Sequence, residues 1–349
     1  MDLVDLAVTL RDKPSAVSHT GNQRGGSPSV TVLVTVKNSA NTIEKCIDSL
    51  LDLDYPDFRV YVTDAYSTDG TWEKLQQYTG RIRLERIREN IAAAHNYMIT
   101  QVETPMIAFT DADCYVAKDW LRNLVRSFSS EEVVAVGGYC GTAPNPNRLH
   151  TCIGAELEER FRRFPRFVNR LPTMNLAVHV SVAREVPFDE RLDAGQEAEW
   201  GARVNRIGKM VYTPDAKVWH LHRTSWRAFF HQQFQYGRAM PLLIRNHPRA
   251  ALGDYISTPG MAGQLILITS LEISVLVTLA FRSTWFVPSI LLIALIYWFL
   301  RSTIRLSRSP SEWFTFLGIF LVRTVAWELG ILVGTLNILY MKDGPLSRK

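Results

Sequence analysis

The chain has 349 residues and a mass of 39.7 kDa, which fits one large domain or two of ordinary size. Charged residues make up 21% and hydrophobic residues 47%, which excludes both a disordered chain and a purely membrane-embedded one. The formal net charge is +5, but residues 1–255 contribute only +1 of it, with 31 Lys and Arg against 30 Asp and Glu. Because residues 1–255 are nearly neutral, they lack the excess of basic residues that is typical of a nucleic-acid-binding protein, and no nucleic-acid partner is expected.

Charge is unevenly distributed along the chain. Residues 256–341 hold eight charged side chains in 86 positions, whereas the other 263 residues hold 65. The sequence therefore predicts a soluble part followed by a membrane part.

The four cysteines, Cys46, Cys114, Cys140 and Cys152, have neither zinc-site nor disulfide spacing, so reduced thiols are expected.

The N-terminal segment MDLVDLAVTLRD contains acidic residues and lacks the basic start of a signal peptide. We expect a short amphipathic helix there, followed by a linker rich in Ser, Gly and Pro, so that residues 1–29 form an N-terminal helix and linker.

From residue 30 onward, short apolar strand patterns alternate with helical patterns. The predicted strands cover 30–36, 58–63, 82–87, 105–110 and 132–139. The predicted helices between them cover 42–51, 71–78 and 91–102. Such alternation is typical of an α/β fold with a mostly parallel, Rossmann-like sheet and helices on both faces.

Residues 224–245 are predicted to form a helix that is aromatic on one face and basic elsewhere. The aromatic face holds Trp226, Phe229, Phe230 and Phe234. Because hydrophobic segments follow directly, the pattern favours a helix lying in the membrane interface. An ordinary amphipathic core helix is the alternative.

Three apolar segments follow at 261–281, 284–300 and 313–340, each long enough to cross a hydrocarbon core of about 30 Å. The loop between the second and third segments carries three arginines, and the loop between the first and second carries one. By the positive-inside rule, the soluble part and the arginine-rich loop lie in the cytoplasm. The sequence therefore predicts a multi-pass integral membrane protein with a cytoplasmic soluble domain.

Two charges should lie at similar depth within the predicted spans. Glu272 is about eleven residues into the first span, and Arg323 is about ten residues into the third. A lone charge at the bilayer centre costs about 2.5–3.5 kcal/mol or more, so such residues usually pair inside the helical bundle. We expect Glu272 to pair with Arg323, and Glu328 is the competing partner.

Polar groups follow three of the predicted strands at the point where each strand ends. Asp111 and Asp113 come directly after the strand at 105–110, and Asp64 follows the strand at 58–63. Thr35 and Asn38 close the first strand. Ligands bind at this edge of an α/β sheet, and paired carboxylates suit a divalent cation that bridges a diphosphate. A D-x-D pair alone is common by chance, but three polar strand ends together favour a site.

The segments VTVLVTVKNSANTIEKCIDSLL, VTDAYSTDGT and IAFTDADCYVAKDWL resemble the family 2 glycosyltransferases of the GT-A fold. That family includes dolichyl-phosphate mannose synthases and cellulose synthases, and the membrane end resembles its membrane-bound members. The resemblance covers about 30–240 and includes TMN at 173–175 and TPDAKVWHLH at 213–222. It implies a GT-A catalytic domain over 30–223, an interfacial region over 224–255, a transmembrane domain over 256–341 and a tail over 342–349.

The resemblance assigns roles to individual residues. The donor-binding residues that it and the strand ends indicate are Thr35, Asn38, Asp64, Asp69 and Asp111. The implied metal ligands are Asp111, Asp113 and His220, for Mn²⁺ or Mg²⁺; the nitrogen ligand favours Mn²⁺. Glu197 falls on the position of the catalytic base. The alternatives are a capping carboxylate for Glu197 and a satisfied core histidine for His220.

The chain also departs from the family pattern. Gln196 replaces one member of the usual acidic pair, and the Q-x-x-R-W of processive enzymes reads QQFQY here, without its Arg and Trp. Acceptor handling should therefore differ. Residues expected near the acceptor are Gln196, Trp200, Arg203, Gln232 and Tyr236. For Trp200 core packing is the alternative, and Arg203 also has the i, i+4 spacing to pair with Glu199.

Together these features imply an inverting glycosyltransferase that moves a hexose from a nucleoside-diphosphate sugar to a lipid-linked acceptor at the cytoplasmic membrane face. GDP-mannose is the first donor expected and a UDP-hexose the second. One alternative is a polyprenyl-phosphate sugar synthase, whose lipid phosphate acceptor would need no base. The other is a non-catalytic membrane protein that binds a lipid carrier.

Overall fold

A computed structural model describes residues 27–340 of the chain. The expected N-terminal helix, most of the linker that follows it and the tail at 342–349 lie outside the described residues. Within 27–340, nine strands form one sheet, and eleven α-helices surround or follow that sheet.

All five predicted strands are present, and four further strands, of which three are short, complete the sheet. The strands are β1 (Val30–Val36), β2 (Phe58–Asp64), β3 (Arg83–Arg86), β4 (Met106–Phe109), β5 (Cys114–Val116), β6 (Val133–Thr142), β7 (Phe167–Val168), β8 (Leu176–His179) and β9 (Lys209–His220). Their order across the sheet is β3-β2-β1-β4-β8-β6-β9-β5, and β7 pairs with β9.

The first half of the sheet is parallel. β1 pairs in parallel with both β2 and β4, and β2 pairs in parallel with β3. Val32, Leu33 and Val34 of β1 are fully buried, as expected for a central parallel strand covered on both faces. The carboxyl ends of β1, β2 and β4 therefore meet at one edge. β8 then joins β4 and β6 in antiparallel orientation, which gives the mixed sheet of a GT-A-like domain.

The helices agree with the predicted pattern and extend it. They are α1 (Ile43–Leu51), α2 (Thr71–Gln76), α3 (Ile91–Gln101), α4 (Trp120–Arg126), α5 (Arg148–Phe161), α6 (Val180–Glu185), α7 (Gln196–Val204), α8 (Trp226–Asn246), α9 (Pro259–Ala280), α10 (Phe286–Leu306) and α11 (Trp313–Tyr340). Several begin with a polar cap, because the side chains of Asn90, Asn147 and Ser225 each accept a hydrogen bond from a backbone N–H three residues on.

In the described part of the chain, three segments are long and apolar enough to cross a membrane: Pro259–Ala280, Arg282–Leu306 and Pro310–Tyr340. The most apolar window of the first is 17% buried within the protein and that of the second is 11% buried. The third is 44% buried, because α11 packs against both α8 and the sheet domain. The apolar surface of α9 and α10 thus remains available to lipid.

Helix α8 packs closely along α11, and glycines make the close approach possible. A Cβ atom on Gly237 would lie 2.5 Å from the carbonyl oxygen of Trp327, and a Cβ on Gly330 would collide with the Phe234 carbonyl oxygen. Phe229 of the predicted aromatic face is buried in this contact, whereas Trp226 is 42% exposed. The predicted helix is therefore confirmed, and its placement in the membrane interface stays a prediction.

The predicted ion pair between Glu272 and Arg323 is wrong. Arg323 instead pairs with Glu156 of α5, at 2.6 Å, and donates to the Gln264 side chain at 3.0 Å. Glu328 accepts a hydrogen bond from Thr269. The sequence argument failed because it assumed that α11 faces only other membrane helices, whereas α11 packs against the sheet domain.

Replacing Gly237 by alanine should destabilise the protein, because the new methyl group meets backbone atoms of α11 that cannot rotate away. Overpacking of this kind costs about 1–3 kcal/mol. The loss is measured as a fall in the midpoint of thermal unfolding, followed by circular dichroism in detergent. The matched control is Gly260→Ala, where the nearest atom is 3.7 Å away. Equal midpoints for the two variants would contradict the packing described.

Candidate active site

Two loops at the carboxyl edge of the sheet are tied together by their own polar groups. The backbone N–H of Asn38 donates to the Ser67 hydroxyl at 2.8 Å, and the Asn38 side chain accepts from the N–H of Thr68 at 2.9 Å. Asp69 accepts from the backbone N–H of Ala40 at 3.0 Å and from the Thr71 N–H and hydroxyl. Asn38 and Asp69 therefore hold the loops after β1 and β2 in place.

Asp64 lies at the end of β2 and is fully buried. Its carboxylate accepts from the Arg86 guanidinium at 2.9 Å and from the backbone N–H of Ser67. Arg86 also stacks over the rings of Tyr66 and Trp72. The sequence analysis missed Arg86, Tyr66 and Trp72, which together form a cationic and aromatic surface beside Asp64.

Thr35, another predicted donor residue, lies near the carboxyl end of β1. Its hydroxyl is 3.4 Å from Nε2 of His95, a buried histidine that packs edge-on against Phe109. Burial lowers the pKa of His95 to about 3, so this imidazole is neutral. The structure therefore places an uncharged histidine beneath the predicted donor site.

Asp113, Cys114 and His220 come together because β5 pairs antiparallel with β9, which sets Cys114 opposite His220. One ligand atom from each of these three side chains lies within 4.8 Å of the others. Nε2 of His220 is 3.3 Å from the Asp113 carboxylate, and Nδ1 of His220 is buried with no hydrogen-bond partner. A carboxylate, an imidazole with a spare nitrogen and a thiol fit a divalent transition metal. Two of the three predicted ligands, Asp113 and His220, therefore lie together, and their role as metal ligands stays a prediction.

The charges in this cluster depend on one another. Burial and the neighbouring Asp113 raise the pKa of Asp111 to about 7. Burial alone would lower the pKa of His220, but the Asp113 carboxylate outweighs it and holds that pKa well above its usual value. His220 and Arg223, which lies 3.6 Å from Asp113, in turn keep the pKa of Asp113 low despite burial. Cationic side chains thus lie beside Asp113, at a place where a bound metal ion would also supply positive charge.

Glu197 lies in the first turn of α7, which begins after Gly195 in a left-handed conformation with φ of 71°. Its carboxylate accepts a hydrogen bond from the Thr173 hydroxyl at 3.4 Å. Glu197 and His220 line one cavity of about 170 Å³, which we call the inner cavity. The other walls of this cavity include Arg170, Arg223, Gln232, Tyr236 and Trp327. Gln232 and Tyr236 of α8 therefore reach the place where an acceptor would meet Glu197.

Two of the residues expected near the acceptor belong elsewhere. Trp200 is fully buried, stacks on Phe188 and donates to the Val186 carbonyl at 2.8 Å, so it serves the core and cannot stack on a sugar. Arg203 pairs with Glu199, as its spacing predicted, and does not line the inner cavity.

Gln196 begins α7 and is buried beside Glu197, but it does not line the inner cavity. The sequence analysis also missed Arg170 and Arg223, which do line it. Arg170 follows a segment with little sequence pattern. Arg223 comes three residues after His220, where β9 ends, so only the nearness of Arg223 to His220 could have indicated Arg223.

The mixed sheet defines a GT-A-like domain, and the cluster of Asp113, Cys114 and His220 at its edge could hold a metal ion. A solved structure with the same fold is the mannosyltransferase PcManGT from Pyrobaculum calidifontis, in complex with GDP-Man and Mn²⁺. The TM-score is 0.55 at 17% sequence identity, over 90% of this chain and 88% of that one.

The chain contains a family 2 glycosyltransferase domain, because residues 31–192 match the model of glycosyl transferase family 2. It is 29% identical over 229 residues to glycosyltransferase AglE of Haloferax volcanii, covering 60% of this chain and 72% of that protein. It is 27% identical over 266 residues to the pre-mycofactocin glycosyltransferase of Mycobacterium tuberculosis, covering 71% of this chain and about half, 53%, of that protein.

Metal binding should release a proton and strengthen as the pH rises. Only neutral imidazole ligates a metal, and His220 is protonated below its raised pKa. Affinity for Mn²⁺ should therefore increase up to that pKa. Above the pKa of Asp111, which is about 7, titration calorimetry in two buffers of different ionisation enthalpy should report about one proton released per ion.

The variant His220→Ala should lose this proton release, whereas His231→Ala, an exposed histidine of α8, should keep it. Identical heats in the two buffers for the unmodified protein would show that no proton leaves His220 when the metal binds.

Proposed function

We propose that the protein is an inverting hexosyltransferase that acts on a lipid-linked acceptor at the cytoplasmic membrane face. The observation that supports the proposal is the inner cavity, because both Glu197 and His220 line it and α8 and α11 also form its walls. One side of this cavity thus belongs to the sugar-transfer domain. The other side belongs to helices that continue into the apolar end of the chain.

The donor is expected along the carboxyl edge of the sheet. Asp64, with the Arg86 and Tyr66 surface beside it, faces the nucleotide, and the loop held by Asn38 and Asp69 borders the same edge. Asp111, Asp113 and His220 would hold Mn²⁺ or Mg²⁺, which when bound neutralises the diphosphate as it leaves. A cation held there would take the place of the proton that His220 otherwise carries beside Asp113.

Glu197 is proposed as the general base. The acceptor hydroxyl forms a bond to C1 of the sugar while the bond from C1 to the diphosphate oxygen breaks. The hydroxyl proton passes to Glu197, and the nucleoside diphosphate leaves. A single displacement of this kind inverts the configuration at C1. Glu197 suits the role because its one hydrogen bond, from Thr173, leaves carboxylate lone pairs free toward the cavity.

The arginines at the end of α10 and in the loop after it support the proposed orientation. Arg301, Arg305 and Arg308 mark the cytoplasmic side under the positive-inside rule. Arg148 of α5 donates to the carbonyl of Ser311 in that same loop, at 3.0 Å, so the sugar-transfer domain lies on the same side. A donor made in the cytoplasm would then have direct access to the site.

GDP-mannose is the first donor proposed and a UDP-hexose the second. A screen of GDP- and UDP-sugars with Mn²⁺, read by thermal unfolding, should single out one nucleotide. A ligand at 100 times its Kd stabilises the protein by about 2.7 kcal/mol. The shift should vanish in EDTA. No shift with any nucleotide sugar in the presence of Mn²⁺ would contradict donor binding.

Changing Glu197 to glutamine should leave donor and metal binding intact and lower transfer by about 10²–10⁴-fold, since a positioned base contributes that much. Transfer is measured with labelled donor and a membrane lipid extract. The matched control is Glu185→Gln, an exposed carboxylate at the end of α6. Near-normal turnover of Glu197→Gln would favour a lipid phosphate acceptor, which carries its own nucleophilic oxygen.

A further inference from the structure

A second cavity, which we call the outer cavity, adjoins the inner one and lies between the sugar-transfer domain and the apolar helices. Its volume is about 910 Å³. The walls are α5, the start of α9, the second half of α10 and the middle of α11. It is therefore large enough for a lipid headgroup and stands outside the site described above.

The outer cavity is rich in arginine, and two of its arginines are not part of an ion pair within residues 27–340. Arg301 and Arg305 are four residues apart on α10, so they share one helix face. Both are exposed, and neither makes a hydrogen bond or ion pair within residues 27–340. The other arginines of this cavity are paired: Arg160 and Arg323 with Glu156, and Arg163 with Glu159. Two positive charges thus remain for an anion.

The aromatic residues beside this pair place it at the depth of lipid headgroups. Tyr297 and Trp298 precede Arg301 by one turn and also line the outer cavity. Trp298 packs against α9 at Gly263, where an added Cβ would lie 2.6 Å from the indole. Aromatic residues followed by arginines are typical of the boundary between the membrane and water. A phosphate group is the anion that lipids present at this depth.

The two cavities share a wall made of Glu156, Arg160, Met261 and Arg323. Glu197 lines only the inner cavity, and Arg301 and Arg305 line only the outer one. An anion held by Arg301 and Arg305 is therefore separated from Glu197 by the Glu156–Arg323 pair. This separation favours another part of the acceptor as the group that meets Glu197.

We propose that the outer cavity binds the phosphate or diphosphate of the acceptor lipid, and that the acceptor is a saccharide already joined to lipid through that group. The saccharide then extends past Glu156 and Arg323 into the inner cavity, where its hydroxyl meets Glu197. This inference rests on the proposed function. It selects a lipid-linked saccharide over a bare lipid phosphate as the acceptor.

The binding test uses the full chain in nanodiscs and polyprenyl diphosphate as the probe, read by native mass spectrometry. The double variant Arg301→Gln with Arg305→Gln should weaken binding at least tenfold, since each arginine contributes a charge-assisted contact. The control pair Arg282→Gln with Arg308→Gln removes the same charge outside the cavity and should bind normally. Arg301→Lys with Arg305→Lys should retain most of the binding and separates lost charge from misfolding.

The kinetic test uses lipid-linked saccharides extracted from the source membranes. Arg301→Gln with Arg305→Gln should raise the KM for this acceptor at least tenfold and leave hydrolysis of the donor in water unchanged. Polyprenyl phosphate without a saccharide should not accept sugar.

Three results would overturn the inference. The first is normal binding of polyprenyl diphosphate by the glutamine double variant. The second is equal competition by phosphatidylglycerol, which would indicate an ordinary phospholipid site. The third is efficient transfer of sugar to polyprenyl phosphate. If the unmodified chain transfers no sugar but still binds polyprenyl diphosphate through Arg301 and Arg305, the proposed function fails and the lipid site stands.

Discussion

The buried ion pair between Glu156 and Arg323 determines how the two parts of the chain fit together. Arg323 would be costly as a lone charge in an apolar helix, and Glu156 offsets that cost from the sugar-transfer domain. Burial raises the pKa of Glu156, but Arg323 and Arg160 outweigh it and keep that pKa below its usual value. Removing one partner would cost about 3–5 kcal/mol. The pair also forms the wall between the inner and outer cavities.

The sequence was sufficient for the parallel half of the fold. Continuous valine-rich runs such as 30–36 give a strand buried on both faces, and that signal is local. Short antiparallel strands such as Cys114–Val116 are held by their partners in the sheet, so local pattern did not reveal them. Tertiary contacts likewise define part of the segment 141–172. Its helix α5 is defined by contacts with the sheet on one side and α11 on the other.

At the site, sequence reasoning found the groups that sit on strand ends or match a family position, such as Asp113 and His220. It missed Cys114, because only the pairing of β5 with β9 brings this thiol next to His220. It missed Arg170, because only the fold of a segment with little sequence pattern brings this side chain to the inner cavity. It also placed Trp200 near the acceptor, although the ring is core. Aromatic residues on amphipathic helices have the same pattern in both settings, and burial alone separates them.

The central claim is that a sugar passes from a nucleotide donor to a lipid within a cavity shared by the domain and the apolar helices. The most direct measurement incubates the purified full chain in nanodiscs with donor labelled in the sugar, Mn²⁺ and a membrane lipid extract. The account predicts label in the organic phase, lost when EDTA is added. Label that stays in water, whether as free sugar or on a soluble acceptor, would contradict it.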